Sequence, residues 1–376
     1  MLNINIFVWH HTCNRRRTTM LGTEYNWLVE STATANETTK VRLASSVFFT
    51  LGITVFCFLC IALRAAPVSE SIEGTRDEAA WVICNMDGII EGLALHPVTQ
   101  EAFFSDVHNR CIWYRDTSGP TVVMRKFSVD SDGLLGVFAL KFSADGKTLW
   151  ASSSAVPEMK GYTAADHDRG FVAAYDFNTR KLRATYAMPR DAHRHVLGDF
   201  ALAPDGSIFV SDSTAPIIWR LTPGGQQLEK WLDQPEFKSL QGLVVMNDGQ
   251  SLYATDYSQG IWRITIATRD AVLLPAPANT NLRGLDGLYA APGGGLVAVQ
   301  NGTKIQRILH LSLDRSGAPA QVNELQSGHP AMTDLSLGQI SNGRLHFIAN
   351  SGWELYPTPA STPAARDVII LSTAVP

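Results

Sequence analysis

The chain has 376 residues, and its 31 Lys and Arg against 35 Asp and Glu leave a formal net charge of −4. That length allows a large buried core. The densest basic run is Arg15-Arg16-Arg17, so there is no electrostatic footprint for nucleic acid, and that class of partner is excluded.

Residues 1–42 are polar and carry no sustained period. Leu43 to Leu63 is then a 21-residue, almost wholly apolar stretch, close to the ~20 residues that cross a bilayer as a helix. Arg15-Arg16-Arg17, Lys40 and Arg42 precede it, and only Arg64 follows closely. The positive-inside rule therefore puts residues 1–42 in the cytoplasm and the remainder outside. Two readings stay open: an uncleaved single-span anchor, or a signal peptide cleaved near Ala65-Ala66. Both deliver the chain beyond residue 67 to an extracytoplasmic (periplasmic or secreted) space, with the membrane contacted only through residues 43–63. Residues 64–77 read as a polar linker, and residues 78–376 as the folded domain. Cys57 and Cys60 fall inside the apolar helix, where a zinc or redox site is not expected. Cys84 and Cys111 lie in the folded domain, either as one disulfide or as two separate thiols.

The folded domain opens on a short strand, Ala80 to Cys84, and then repeats itself. The first unit is Glu91-Gly92-Leu93-Ala94-Leu95, a turn, Ala102 to Asp106, and Cys111 to Arg115. Short apolar runs bounded by turn residues are β-strands. The pattern returns at Phe138–Ser152, Phe200–Leu221, Leu243–Ile264, Leu288–Leu309 and Leu337–Asn350, with Asp145-Gly146, Asp205-Gly206, Asp248-Gly249 and Asn342-Gly343 at hairpin turns. Such dipeptides supply the positive φ that tight hairpins require. The period is roughly 45 to 60 residues, which fits four antiparallel strands with their loops, a propeller blade. The fold class is all-β, a six-bladed β-propeller preceded by an N-terminal signal or transmembrane helix. Ring closure needs the Trp81–Cys84 strand in blade six, beside the C-terminal strand Asp367–Leu371, because an unclosed ring exposes edges. The longest loop, residues 155–169, sits in unit two, and long insertions on rigid scaffolds are often functional.

Pseudo-symmetry converts alignment into geometry, because one position of every unit forms a ring about the axis. Two places before the apolar residue that opens each first strand stand Glu91, Gly136, Gly198, Gln241, Asp286 and Leu335. Two carboxylates and an amide at one channel mouth repel or share a cation, and oxygen donors suit a hard one such as Ca²⁺ or Mg²⁺. A second ring, at the end of the second strand, holds Asp106, Ser152, Asp212, Asp256, Asn301 and Asn350. These residues either line the same mouth or cap the following turns.

Glu91-Gly92, Gln241-Gly242 and Asp286-Gly287-Leu288, with Asp199-Phe200, Ala254-Thr255-Asp256-Tyr257 and Val299-Gln300-Asn301-Gly302, resemble the SMP-30/gluconolactonase/LRE-like propellers, relatives of the paraoxonases. The resemblance runs from about Glu91 to Trp353. It implies a divalent cation, Ca²⁺ first, with Mg²⁺, Mn²⁺ and Zn²⁺ as alternatives, held by Glu91, Gln241 and Asp286. It also implies hydrolysis of small-molecule lactones or esters. Gln241 stands where the family usually has Asn, and Gly198 where relatives with an extra amide ligand carry Asn. The expected chemistry is metal-assisted hydrolysis, with Asp256, Asp212 or His195 as general base. Asp106, Asp199, Asn301 and Asn350 are the expected substrate contacts. The alternative, from another class, is a non-catalytic propeller that binds a ligand or protein at the channel mouth.

Overall fold

Antiparallel hairpins build every sheet of the computed structural model, which describes residues 79–119 and 121–376. The polar segment, the apolar Leu43–Leu63 stretch and the linker lie outside the described residues. After β1 (Ala79–Met86), blade one is β2 (Ile90–Leu95), β3 (Ala102–Asp106), β4 (Cys111–Asp116) and β5 (Val123–Lys126). Blade two is β6 (Gly136–Phe142), β7 (Thr148–Ser154), β8 (Gly170–Asp176) and β9 (Lys181–Ala187). Blade three is β10 (Leu197–Leu202), β11 (Ile208–Asp212), β12 (Ile217–Leu221) and β13 (Glu229–Asp233). Blade four is β14 (Leu240–Val245), β15 (Ser251–Asp256), β16 (Gly260–Thr265) and β17 (Ala271–Leu273). Blade five is β18 (Leu285–Ala290), β19 (Leu296–Gln300), β20 (Arg307–Leu313) and β21 (Pro319–Ser327). Blade six joins β22 (Gly338–Ser341), β23 (Arg344–Ile348) and β24 (Arg366–Ala374) to β1.

The ring closes as the sequence predicts. Trp81 pairs with Ile370, Val82 with Ile369 and Ile83 with Val368. The first strand of the domain thus covers the last, and β24 keeps no open edge. The innermost strands β2, β6, β10, β14, β18 and β22 pack side by side around the axis. Asn342 and Gly343 have φ of 50° and 72°, both positive, as a two-residue primed hairpin turn demands.

The core lies between blades rather than within them. Phe103 and Ile112 of blade one meet Leu140 and Tyr175 of blade two. Phe209 and Ile218 of blade three meet Leu243 and Trp262 of blade four. Ile90, Leu93 and Phe104 meet Ile83, Val368 and Ile370 across the closing seam. Alternation along each strand gives every sheet two apolar faces, so adjacent blades bury one another. Cys111 is a free, buried thiol, so it forms no disulfide with Cys84.

Candidate functional site

The innermost strands share an irregularity that sets the site. In blade one Ile90 pairs with Asp106, and regular pairing resumes only at Leu93 opposite Phe104. Blades three, four and five repeat this between Leu197 and Phe200, Leu240 and Leu243, and Leu285 and Leu288. Such a bulge takes a residue out of the ladder and re-aims its side chain. The residues at this place are Glu91, Gly198, Gln241 and Asp286. In blade two, pairing resumes at Leu140 opposite Ala151, which gives Phe138 the equivalent place. This corrects the sequence alignment, which put Gly136 there. Phe138, Leu140 and Phe142 alternate as one apolar series, and periodicity cannot say which of them opens the repeat. In blade six, Leu335 is packed in the core between blades five and six, and Leu337 takes the ring position. Glu91, Phe138, Gly198, Gln241, Asp286 and Leu337 all line one cavity of ≈ 430 Å³.

Hydroxyls stitch these bulges from blade to blade. Ser105 Oγ donates to the Phe138 carbonyl and accepts from Gly92 N. Ser211 Oγ donates to the Gln241 carbonyl at 2.6 Å, Thr255 Oγ1 to that of Asp286 at 2.7 Å, and Ser336 Oγ to that of Glu91 at 2.7 Å. The backbone under each proposed ligand is therefore fixed by the preceding blade. Sequence reasoning missed this set, although the pairs Ser105-Asp106, Ser211-Asp212 and Thr255-Asp256 carry the signal. The glycines that follow Glu91 and Gln241 have a matching cause. A Cβ at Gly92 would lie 2.2 Å from the Phe138 carbonyl oxygen, and one at Gly242 would lie 2.4 Å from that of Asp286. We expect Thr255→Val to lose about 1–3 kcal/mol, the cost of leaving buried carbonyls unpaired, read as a lower urea midpoint at unchanged m-value.

Glu91 is 8% exposed, and Trp353 Nε1 donates to its Oε2 at 2.6 Å. Burial, and then the charge of Asp286, push the Glu91 carboxyl up to about 8. Burial pushes Asp286 up to about 7, against the Asn301 hydrogen bond that favours its anion. Each carboxylate of the buried pair therefore makes ionisation of the other harder, and the proton lost belongs to the pair. Asn301 Nδ2 donates to Asp286 Oδ2 at 2.8 Å and to the Leu335 carbonyl at 2.9 Å. Its own Oδ1 is buried without a hydrogen-bond partner. Gln241 accepts from Ser213 Oγ and donates to Ser239 Oγ, at 3.2 and 3.1 Å. Asp199 also lines the cavity. Its Oδ2 accepts from Leu243 N at 3.1 Å, and its Oδ1 lies 2.8 Å from Lys141 Nζ. That contact is an ion pair without hydrogen-bond alignment, and the same ammonium donates to the Phe200 carbonyl.

Of the two readings left open for the second ring, the shared mouth and turn capping, the side-chain contacts favour capping. By strand register its members in blades two and five are Ser153, opposite Val137, and Gln300, opposite Leu285, not Ser152 and Asn301. Asp106 accepts from Asn109 N and from Trp113 Nε1. Asp256 accepts from Lys238 N and Ser258 N, and Asn350 bridges Asp367 and Ile369. Asp106 and Asp256 cap turns, Asn350 ties the end of β23 to β24, and none of the three lines the cavity. Asp212 likewise accepts from Val196 N, Ala215 N and Trp219 Nε1. It also lies 2.6 Å from His195 Nδ1, while His195 Nε2 is 3.0 Å from Asp191. Burial disfavours the imidazolium, but these two carboxylates outweigh burial and raise the His195 pKa. The His195–Asp212 pair sits directly behind Arg194, Val196 and Thr214, which line the cavity. The long loop of blade two contributes Val156 and Glu158 to the same lining.

The chain is thus a closed six-bladed ring with an acidic cavity at the bulges of its inner strands. No family model matches the sequence, and no curated protein matches it. Solved structures do match. The gluconolactonase XC5397 from Xanthomonas campestris aligns with a TM-score of 0.50 at 15% identity, over 78% of this chain and 88% of that one. The fold is that of the gluconolactonase-like propellers. A luciferin-regenerating enzyme aligns with a TM-score of 0.51 at 13% identity, over 77% and 94% of the two chains. Virginiamycin B lyase from Staphylococcus aureus does so with 0.51 at 16%, over 71% and 80%. At these identities the gluconolactonase-like likeness is one of fold, and different chemistries share that fold.

Proposed function

We propose that the protein is a metal-dependent hydrolase of small-molecule lactones or esters. The observation that carries this reading is the pair of buried carboxylates, Glu91 and Asp286, held at one cavity with each raised well above its ordinary range. The donors fit a hard cation: the two carboxylates and the Gln241 amide, all lining the cavity, offer oxygens. Glu91, Asp286 and Gln241 would hold Ca²⁺, with Mg²⁺, Mn²⁺ or Zn²⁺ as alternatives, and Asn301 would orient Asp286. Such a cation, when bound, supplies Lewis-acid polarisation of a carbonyl and charge stabilisation of the oxyanion.

The remaining steps belong to the chain. Trp353 fixes the Glu91 carboxylate. Asp199, paired with Lys141, is the carboxylate at the cavity wall placed to take a proton from water. His195 and Asp212 hold the segment that carries Arg194 and Val196. The test joins metal analysis to a lactone and ester panel. We expect one bound divalent cation per chain, and turnover that falls at least a hundredfold in Glu91→Gln together with the loss of metal. If no divalent cation supports turnover, the hydrolase reading fails in favour of a propeller that binds a ligand at the same mouth.

A further inference from the structure

Asp334, Leu335 and Ser336 lead into β22, and none of the three lines the cavity. They nevertheless hold both buried carboxylate residues. Ser336 Oγ and Leu337 N donate to the Glu91 carbonyl at 2.7 and 3.1 Å. The Leu335 carbonyl accepts from Asn301 Nδ2, which also donates to Asp286, and Leu335 N is pinned to Gln306 Oε1 at 2.7 Å. Asp334 is bonded differently. Its Oδ2 accepts from Ser351 Oγ at 2.6 Å, Gly352 N at 2.8 Å and Trp353 N at 2.9 Å. Hydrogen bonds to a carboxylate are about twice as strong as neutral ones, so this one oxygen fixes the turn that carries Trp353. Arg366 takes acceptors of the same turn, the Asn350 and Ser351 carbonyls, but none of its bonds reaches Trp353. The indole N–H of Trp353 then donates to Glu91 Oε2 at 2.6 Å. One residue thus joins two carboxylates, Asp334 through its backbone and Glu91 through its side chain.

We propose that Asp334 is a positioning residue for Glu91: it fixes the Trp353 turn, and the Trp353 indole in turn holds the Glu91 carboxylate where a ligand of the cavity meets it. Asp334 forms no hydrogen bond with Glu91, so the competing route for its influence is its charge. The indole–carboxylate bond is independent of what the cavity binds; the consequence for cation affinity rests on the hydrolase reading. All three bonds to Asp334 end on Oδ2, and this separates position from charge. Asp334→Asn keeps an oxygen at that place without the charge, whereas Asp334→Glu keeps the charge and moves the oxygen by a methylene.

The test uses the full chain carrying isotope-labelled tryptophan. The Trp353 indole N–H resonance, identified by its absence from Trp353→Phe, is recorded in chelator, and Ca²⁺ affinity is measured by titration calorimetry. Asp334→Ala and Asp334→Glu should move that resonance to the position of an indole exposed to water. Both should weaken Ca²⁺ binding about tenfold or more, as loss of a ligand's supporting partner does. Asp334→Asn should keep the parent's resonance and stay close to its affinity. Trp353→Phe should lose as much affinity as Asp334→Ala, and the double variant no more than either, because both changes act on one path. Asp334→Glu alone carries the comparison if Asp334→Ala does not fold. An unmoved resonance in these variants overturns the proposal, as do additive losses in the double variant, or an Asp334→Asn as impaired as Asp334→Glu. A moved resonance in a protein whose parent binds no divalent cation upholds the positioning and defeats the hydrolase reading. Cation binding and lactone turnover with an unmoved resonance do the reverse.

Discussion

Asp286→Asn is expected to stabilise the protein in chelator and to destabilise it relative to the parent in Ca²⁺. The folded protein holds the Asp286 carboxyl at about 7 and that of Glu91 at about 8, against ordinary values of 3.8 and 4.5. A raised carboxyl means that the folded state binds its proton more tightly than the unfolded chain does. Stability from these groups is therefore fully present below about pH 4 and is lost as pH rises to about 7 and then 8. The loss at pH 8 is on the order of several kcal/mol, since one unit corresponds to about 1.4 kcal/mol. The amide variant removes the share of that loss due to Asp286 and relieves Glu91 of a neighbouring charge. The melting temperatures in chelator should then nearly coincide at pH 5, with the variant several degrees higher at pH 8. A bound cation converts the repulsion into attraction and adds stability of about 2.7 kcal/mol at a hundredfold excess over Kd. The variant has lost a charged ligand and should gain less. Thermal unfolding at both pH values, with chelator and with Ca²⁺, reads all four quantities. Indifference of both proteins to Ca²⁺, Mg²⁺ and Mn²⁺ would remove the physical support for a metal centre, and a parent equally stable at pH 5 and pH 8 in chelator would contradict the burial of two repelling carboxylates.

The second large effect concerns ring closure. A chain that begins at Asp87 lacks β1, and so lacks Ile83 and Met86, which are 2% and 4% exposed against Val368, Ile370 and Leu93. Each such side chain contributes about 1.5–3 kcal/mol. The nine-residue β24 would also become an open edge, a template for pairing with another chain. We expect this protein to aggregate or to lose cooperative unfolding, whereas a chain that begins at Pro67 stays soluble and melts in a single transition. Size-exclusion chromatography and calorimetry of the two distinguish the outcomes. A monomeric, cooperatively folded product from Asp87 onward would show that the closing strand is dispensable.

The repeat count, the antiparallel hairpins and the closing strand were legible in the sequence, because they follow from local chemistry. Asn342-Gly343 has to turn, Phe103 and Ile112 have to be covered, and a ring with a lone strand at its start and another at its end closes by pairing them. The first ring was legible where a polar residue precedes glycine, at Glu91, Gln241 and Asp286, since a Cβ is crowded out there by the next blade's backbone at Gly92 and Gly242 and by the Tyr289 hydroxyl at Gly287. Where that mark is absent, the register slipped. Phe138 and Leu337 take the places that alignment gave to Gly136 and Leu335, because an apolar series looks the same when shifted by two. The tertiary structure alone decided which oxygens face the cavity. Asp106, Asp212 and Asp256 have the composition of a binding ring, yet each accepts from a backbone N–H of its own turn, and Asp212 and Asp256 also from the segment leading into their blade. Asn301, one residue past its strand, reaches Asp286 instead. A side chain's type is written in the sequence. Whether it satisfies its own turn or a neighbour's carboxylate depends on strand bulges and on contacts between blades, and those form only when the ring is closed.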